Sequence, residues 1–264
     1  MSIDILEKLW DQYIADNPHA KEIYDLFVEN GEKPENDHIA LRTLDDDRIN
    51  IHQLAKAFIS RGYKVCNNYD FEVKKLKAIH LEHNDENEPK VFISQLLTKE
   101  FSKELQETLK KCVDAIPQDL INNPDKLLLS GISWLIKYEE YKKLLDESEY
   151  AAWFYAFGFR ANHFTVFINQ LRNFNEVSEV NHFLKENGFK LNSSGGEVKG
   201  SQEDLLEQSS TMSGLAEVAF DDGTKQIPSC YYEFAKRYKD SNGKLYQGFV
   251  AKSADKIFES TNTK

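Results

Sequence analysis

Two stretches of alternating polar and apolar residues set the pattern of this chain. The first, Asp37-His38-Ile39-Ala40-Leu41-Arg42-Thr43-Leu44, is rich in residues that favour an extended backbone. Alternation places Ile39, Leu41 and Thr43 on one face and His38, Ala40, Arg42 and Leu44 on the other. The second, Asn162-His163-Phe164-Thr165-Val166-Phe167-Ile168, repeats the plan of a short polar residue, a histidine and an apolar run. A stretch of helical period follows each. Residues 49–61 carry Ile51, Leu54, Ala55, Phe58 and Ile59; residues 177–187 carry Val180, Phe183 and Leu184. Each helix runs into a glycine, a common C-terminal cap. Gly62 lies 24 positions after His38 and Gly188 lies 25 after His163. Two more strands are predicted after each glycine, at 77–83 and 90–96, then at 215–220 and 229–236. The pattern predicts an α+β fold built from two βαβββ modules, an internal repeat.

Segments outside the repeat are mostly helical. Within 1–36, Leu6, Leu9, Trp10 and Tyr13, then Ile23, Leu26 and Phe27, give two helices broken near Asn17-Pro18. The first module spans 37–97. A helical insert follows at 98–160, with a stripe of Leu105, Leu109, Val113 and Ile116, breaks at Pro117 and Pro124, and a resumed helix from Ile136 to Leu145. The apolar run from Ala151 to Phe159 reads as core feeding the second module, which occupies 161–264 with a closing tail. Residues 192–213, rich in Ser, Gly, Glu and Gln, read as an inserted loop and a candidate lid. Tyr246, Gly248, Phe249, Ala254, Ile257 and Phe258 predict a tail that closes on the core. The 264 residues form one metal-binding domain in this reading, because neither module alone covers its sheet.

Charge and cysteine content narrow the setting. The formal net charge of −11 argues against non-specific nucleic-acid binding, which needs cations on phosphates. Three scattered cysteines, Cys66, Cys112 and Cys230, suit a reducing compartment. No run of about 18 apolar residues exists to span a membrane. The N-terminus, from Ser2-Ile3-Asp4, continues as an amphipathic helix and not as a signal peptide. A cytoplasmic location is expected.

The candidate chemistry lies on three strands. Glu233 sits among aromatics in Cys230-Tyr231-Tyr232-Glu233-Phe234, where an unpaired carboxylate is costly. The corresponding strand of the first module, Val91 to Leu96, has no acid. His38, His163 and Glu233 are therefore expected to converge as metal ligands. Two imidazoles and one carboxylate with open positions suit Fe(II) oxygen chemistry; Mn(II), or zinc at a hydrolytic site, would also fit. Arg42, on the His38 face about 13 Å along the strand, is the candidate anchor for a substrate carboxylate. Arg237 shares a face with Glu233 and is a weaker second anion-binding candidate, a rim salt bridge being the alternative. His80 and His83 are expected to be solvated beside Glu82, and His19, His52 and His182 to lie on helix surfaces.

Paired βαβββ modules around a metal resemble the vicinal-oxygen-chelate architecture of the glyoxalases. The motif His38-x-x-x-Arg42, the second His163 and the late Glu233 are similar to those of the 2-oxoadipate dioxygenase/decarboxylases, formerly a family of unknown function. The similarity runs from Asp37 to the closing stretch Gly248-Phe249-Val250-Ala251-Lys252-Ser253-Ala254-Asp255. It implies Fe(II) held by His38, His163 and Glu233, with Arg42 on the distal carboxylate. It also implies that a 2-oxo acid and O2 give a 2-hydroxy acid and CO2, here 2-hydroxyglutarate from 2-oxoadipate in lysine catabolism. A metal-dependent hydrolase, lyase or isomerase of glyoxalase type, and a non-catalytic metal-binding module, remain open on the residues alone.

Overall fold

The computed structural model describes residues 4–250, 256 and 257. Ser2, Ile3 and the tail positions Ala254 and Phe258 lie outside the described residues. Helices α1 (Asp4–Asp16) and α2 (Pro18–Glu29) lead the chain, with Pro18 at the first turn of α2, where a missing N–H costs nothing. The first module follows as β1 (Asn36–Leu44), α3 (Ile51–Ile59), β2 (Tyr63–Phe71), β3 (Leu76–His83) and β4 (Lys90–Leu96). The insert holds α4 (Lys103–Asp114), α5 (Gln118–Ile121), α6 (Pro124–Leu128), α7 (Tyr138–Glu147) and α8 (Glu149–Phe157). The second module then gives β5 (Ala161–Phe167), α9 (Val177–Glu186), β6 (Lys199–Ser201), β7 (Leu206–Ser210), β8 (Leu215–Phe220), β9 (Gly223–Pro228) and β10 (Glu233–Arg237).

Eight strands form one sheet in the order β2-β3-β4-β1-β5-β10-β7-β6. Its seam is the antiparallel pair β1–β5, and each half runs outward from it in matching order. β4 is parallel to β1 as β10 is parallel to β5. Two βαβββ modules are thus present, but one strand of the second differs from expectation. Leu215–Phe220 is not in the sheet; it pairs with β9 in a separate hairpin whose Phe220 packs on Tyr138 and Tyr141 of the insert. Its place beside β10 is taken by β7, from the stretch read as a lid, so residues 192–213 supply sheet edge. The strand expected at 229–236 is also shorter, since β10 begins only at Glu233.

One sheet face packs on helices. Trp10 of α1 meets Phe164 and Tyr232, and Phe27 of α2 meets Phe234. Ile39, Leu41, Phe164, Val166 and Phe234 are buried on that side. The other face carries the histidines and is closed at one end by α8, whose residues from Tyr150 to Phe157 are all buried. Gly158 ends α8 at φ +63°, where a Cβ would lie 2.1 Å from the carbonyl oxygen of Gly131. Only glycine allows that approach, which turns the chain into β5.

Candidate active site

Register brings three side chains together. His38 of β1 lies opposite Thr165 of β5, and Glu233 of β10 pairs with the same Thr165 from the other side. His163, two residues before Thr165, shares its face. The result is a group whose candidate ligand atoms all lie within 4.8 Å of one another. His163 Nε2 is 3.1 Å from Glu233 Oε2, and His38 Nε2 is 3.5 Å from Glu233 Oε1. The imidazole centroids are 5.7 Å apart and nearly perpendicular. Gln208 of β7 donates to Glu233 Oε1.

Strict alternation would turn Asp37 and Asn162 away from this face. Both sit where the β1–β5 register slips, Asp37 between the pairs of Asn36 and His38, and Asn162 between the pairs of His163 and Ala161. A bulge re-aims the extra side chain. Asp37 Oδ1 therefore reaches His38 Nδ1 at 2.7 Å, and Asn162 Oδ1 reaches His163 Nδ1 at 3.0 Å. Arg237 fixes Asp37 with two bonds, 2.6 Å from Nε and 2.8 Å from Nη2. Its Nη1 goes to the carbonyls of Tyr246 and Gly248. Every guanidinium nitrogen of Arg237 is thus bonded inside the protein. It is a buried strut behind His38 and neither an anion site nor a rim bridge.

Electrostatics follow from burial and these partners. Burial pushes the Asp37 carboxyl up, but Arg237 and the His38 hydrogen bond outweigh it and hold the group far below the carboxylate range. An ionised Asp37 can only accept, so His38 donates from Nδ1, while its Nε2 faces Glu233 and lies 3.1 Å from Thr165 Oγ1. Burial also opposes ionisation of Glu233, yet His38, His163 and Gln208 hold its pKa below the ordinary value. The pKa of His163 is lowered by burial, against an upward pull from Glu233.

Arg42 lies on the same face, four residues beyond His38, and is fully buried. Its Nη1 donates to Glu149 Oε1 at 2.9 Å, at the start of α8. Its guanidinium lies 4.8 Å from the Tyr150 ring centroid and 5.0 Å from that of Trp153. Nε and Nη2 have no hydrogen-bond partner among the described residues. Half of the fork is held and half is open. Phe92, Phe249, Gln208 and Ile257 join the three candidate ligands around a cavity of about 20 Å³, room for one water.

The remaining histidines are partly corrected. His80 is buried, not solvated: Nδ1 meets Tyr69 Oη at 2.9 Å and Nε2 meets Glu82 at 2.8 Å. His83 is half-buried on the Arg61 carbonyl. His19 is half-buried against Gly214, and burial lowers its pKa to about 4. His52 and His182 are exposed. Sequence reasoning missed Asp37, Asn162, Gln208 and Glu149. The echo of a short polar residue before each histidine was a signal for the first two. Glu149 looked like an ordinary first-turn acid.

Comparisons with known proteins identify the family and the fold. The sequence profile of the 2-oxoadipate dioxygenase/decarboxylase family matches residues 4–244. The chloroplastic 2-oxoadipate dioxygenase/decarboxylase of Arabidopsis thaliana is 33% identical, over 97% of this chain and 76% of the relative. A rice hydroxyglutarate synthase solved in complex with 2-oxoadipate superposes with a TM-score of 0.89 at 33% identity, covering 98% of this chain and 91% of that one. A Shewanella frigidimarina protein described as a hydrolase superposes equally well, with a TM-score of 0.89 at 50% identity over 94% of this chain and 97% of that one. Profile, curated relative and fold converge on one assignment: this chain is an enzyme of the 2-oxoadipate dioxygenase/decarboxylase family.

Proposed function

We propose that this chain is an Fe(II)-dependent enzyme that converts 2-oxoadipate and O2 to 2-hydroxyglutarate and CO2, a step of lysine breakdown. The observation that carries the reading is the meeting of two Nε2 atoms with the Glu233 carboxylate in a buried space. With each Nδ1 proton held by Asp37 or Asn162, both Nε2 lone pairs and the carboxylate would converge on one point, an arrangement that a cation stabilises. The donor set fits Fe(II): two imidazoles and one carboxylate, with no protein ligand from the Phe92 side among the described residues. When bound, the metal would supply Lewis acidity toward the 2-oxo acid and redox chemistry toward O2.

The protein's own groups divide the remaining work. Asp37 and Asn162 keep both Nδ1 protons in place and the Nε2 atoms available. Gln208 orients Glu233. Phe92, Phe249 and Ile257 exclude water. The open half of Arg42 suits a distal carboxylate, in the charge-assisted manner that a planar fork allows. A six-carbon acid exceeds the cavity as it stands, so its binding requires side chains that line it to move. The 2-oxoadipate bound to the rice synthase supports the choice of substrate class.

Oxygen uptake by Fe(II)-loaded protein, screened across 2-oxo acids with CO2 trapped in parallel, tests the proposal. One O2 consumed per CO2 released from 2-oxoadipate is expected. Tightly held zinc with no oxygen uptake on any 2-oxo acid would favour a hydrolase instead.

A further inference from the structure

The buried hydroxyl of Tyr231, beside this site, has no hydrogen-bond partner among the described residues. Its ring stacks on the His163 imidazole at 4.5 Å with 26° between planes. Its backbone is pinned, because Tyr13 Oη donates to the Tyr231 carbonyl at 2.6 Å. Trp153, which underlies Arg42, donates to the Ser229 carbonyl two residues earlier at 2.9 Å. The ring is therefore fixed while Oη has no hydrogen-bond partner among the described residues. Arg42 Nε and Nη2 are in the same condition. Trp153 thus packs under Arg42 while it holds the strand that carries Tyr231, which brings the two groups to the same part of the site. Buried polar groups are nearly always bonded, and three orphaned donors on residues packed behind the His163 side of the site point to a ligand with several acceptors.

We infer that Tyr231 and Arg42 together form the subsite for the distal carboxylate of a 2-oxo dicarboxylic acid. Arg42 Nε and Nη2 face one side of the carboxylate and Tyr231 Oη donates to it from the His163 side. Glu149 keeps the remaining arm of Arg42 occupied, which fixes the direction of the open arm. A single arginine holds a carboxylate; the added hydroxyl, set against a ring stacked on a candidate metal ligand, fixes how far that carboxylate lies from the metal. Tyr231 is thereby a determinant of chain length. The inference rests on the proposed substrate class.

Anaerobic calorimetric titration of the Fe(II)-loaded protein tests it without turnover. The ligands are 2-oxoadipate and 2-oxohexanoate, which share the 2-oxo acid end and chain length but differ in the distal carboxylate. Tyr231→Phe should weaken 2-oxoadipate about tenfold, the scale of one hydrogen bond to a charge. It should change 2-oxohexanoate by less than about twofold. The variant keeps the stacked ring and loses only an unpaired hydroxyl, so its melting temperature should equal or exceed the parent's. A lower melting temperature with unchanged affinity would mark a structural hydroxyl and overturn the inference. Equal weakening of both acids would also overturn it, by moving Tyr231 to the 2-oxo end. If the parent binds 2-oxoadipate in a Tyr231-dependent way yet consumes no O2 with it, the subsite stands and the oxygenase reading fails.

Discussion

The two halves of the sheet repeat the same device and then part. On each side of the seam a bulged polar residue precedes a histidine and holds its Nδ1: Asp37 for His38, Asn162 for His163. Beyond that the halves differ. Glu233 lies beside Thr165, two residues after His163; the counterpart beside Ala40, two residues after His38, is Phe92. The position four residues after the histidine is Arg42 in one half and Phe167 in the other. A symmetric pair of histidines thus receives its carboxylate from one side only. The side that lost the acid presents phenyl rings and, farther along, a guanidinium. On the proposed function, this asymmetry is what makes a catalytic site of a duplicated scaffold: one half would complete a metal ligand set, while the other would take the substrate.

Restoring symmetry should be the most damaging change. Phe92→Glu would place a second carboxylate on the open side. The protein should keep its metal, by elemental analysis, while oxygen uptake on 2-oxoadipate falls by more than about a hundredfold. Unchanged turnover would show that the Phe92 side is not the substrate side.

Removing the arginine of the first half comes next. Arg42→Ala should keep its metal and lose about a hundredfold in kcat/KM for 2-oxoadipate, with Arg42→Lys rescuing poorly for want of the planar fork. Monocarboxylic 2-oxo acids should suffer much less. Equal loss on both classes, or loss of metal, would assign Arg42 a structural role.

The two bulges should then prove unequal. Asp37 is charged and braced by Arg237, whereas Asn162 is neutral, and its Nδ2 has no partner among the described residues. Asp37→Asn should weaken metal binding by about 10–100-fold. It should also cost about 3–5 kcal/mol in urea unfolding, because Arg237 is left buried without its counter-charge. Asn162→Ala should do less on both measures. The reverse order would remove the buttressing role given to Arg237.

Much of this was legible in the sequence, and the exceptions share a cause. Period-two alternation and the spaced glycines reveal the seam strands, their helices and the three candidate ligands. Alternation also hides the bulges, since it assigns Asp37 and Asn162 to the wrong face. β7 escaped because Gln208, Ser209 and Ser210 are polar on both faces: Gln208 meets Glu233, and Ser209 donates to Asn181 of α9 at 2.7 Å. A strand that borders a polar site has no hydrophobic period to read. Leu215–Phe220 has the right composition for the sheet but packs its aromatic end on the insert, a tertiary choice that local propensity does not encode. Arg237 looked like a rim residue because its partner is 200 positions away.

A smaller effect concerns pH. His163 has its pKa lowered in the fold, by burial above all. The unfolded chain takes up that proton near pH 6.5 while the folded chain resists it. Its stabilising contribution is therefore full above about pH 6.5 and is lost as pH falls toward the folded value. The urea midpoint of metal-free protein should drop between pH 7 and 5.5, and His163→Gln should flatten that slope. An equally steep slope in the variant would place the acid sensitivity elsewhere.

The most direct test of the account is metal content per chain in the parent and in His38→Ala, His163→Ala and Glu233→Ala, each reconstituted with Fe(II) under argon and desalted. The parent should retain about one iron per chain, and each variant less than about a tenth of that, since two remaining ligands hold iron too weakly to survive desalting. Full occupancy in any one of the three would contradict the ligand set on which the whole account stands.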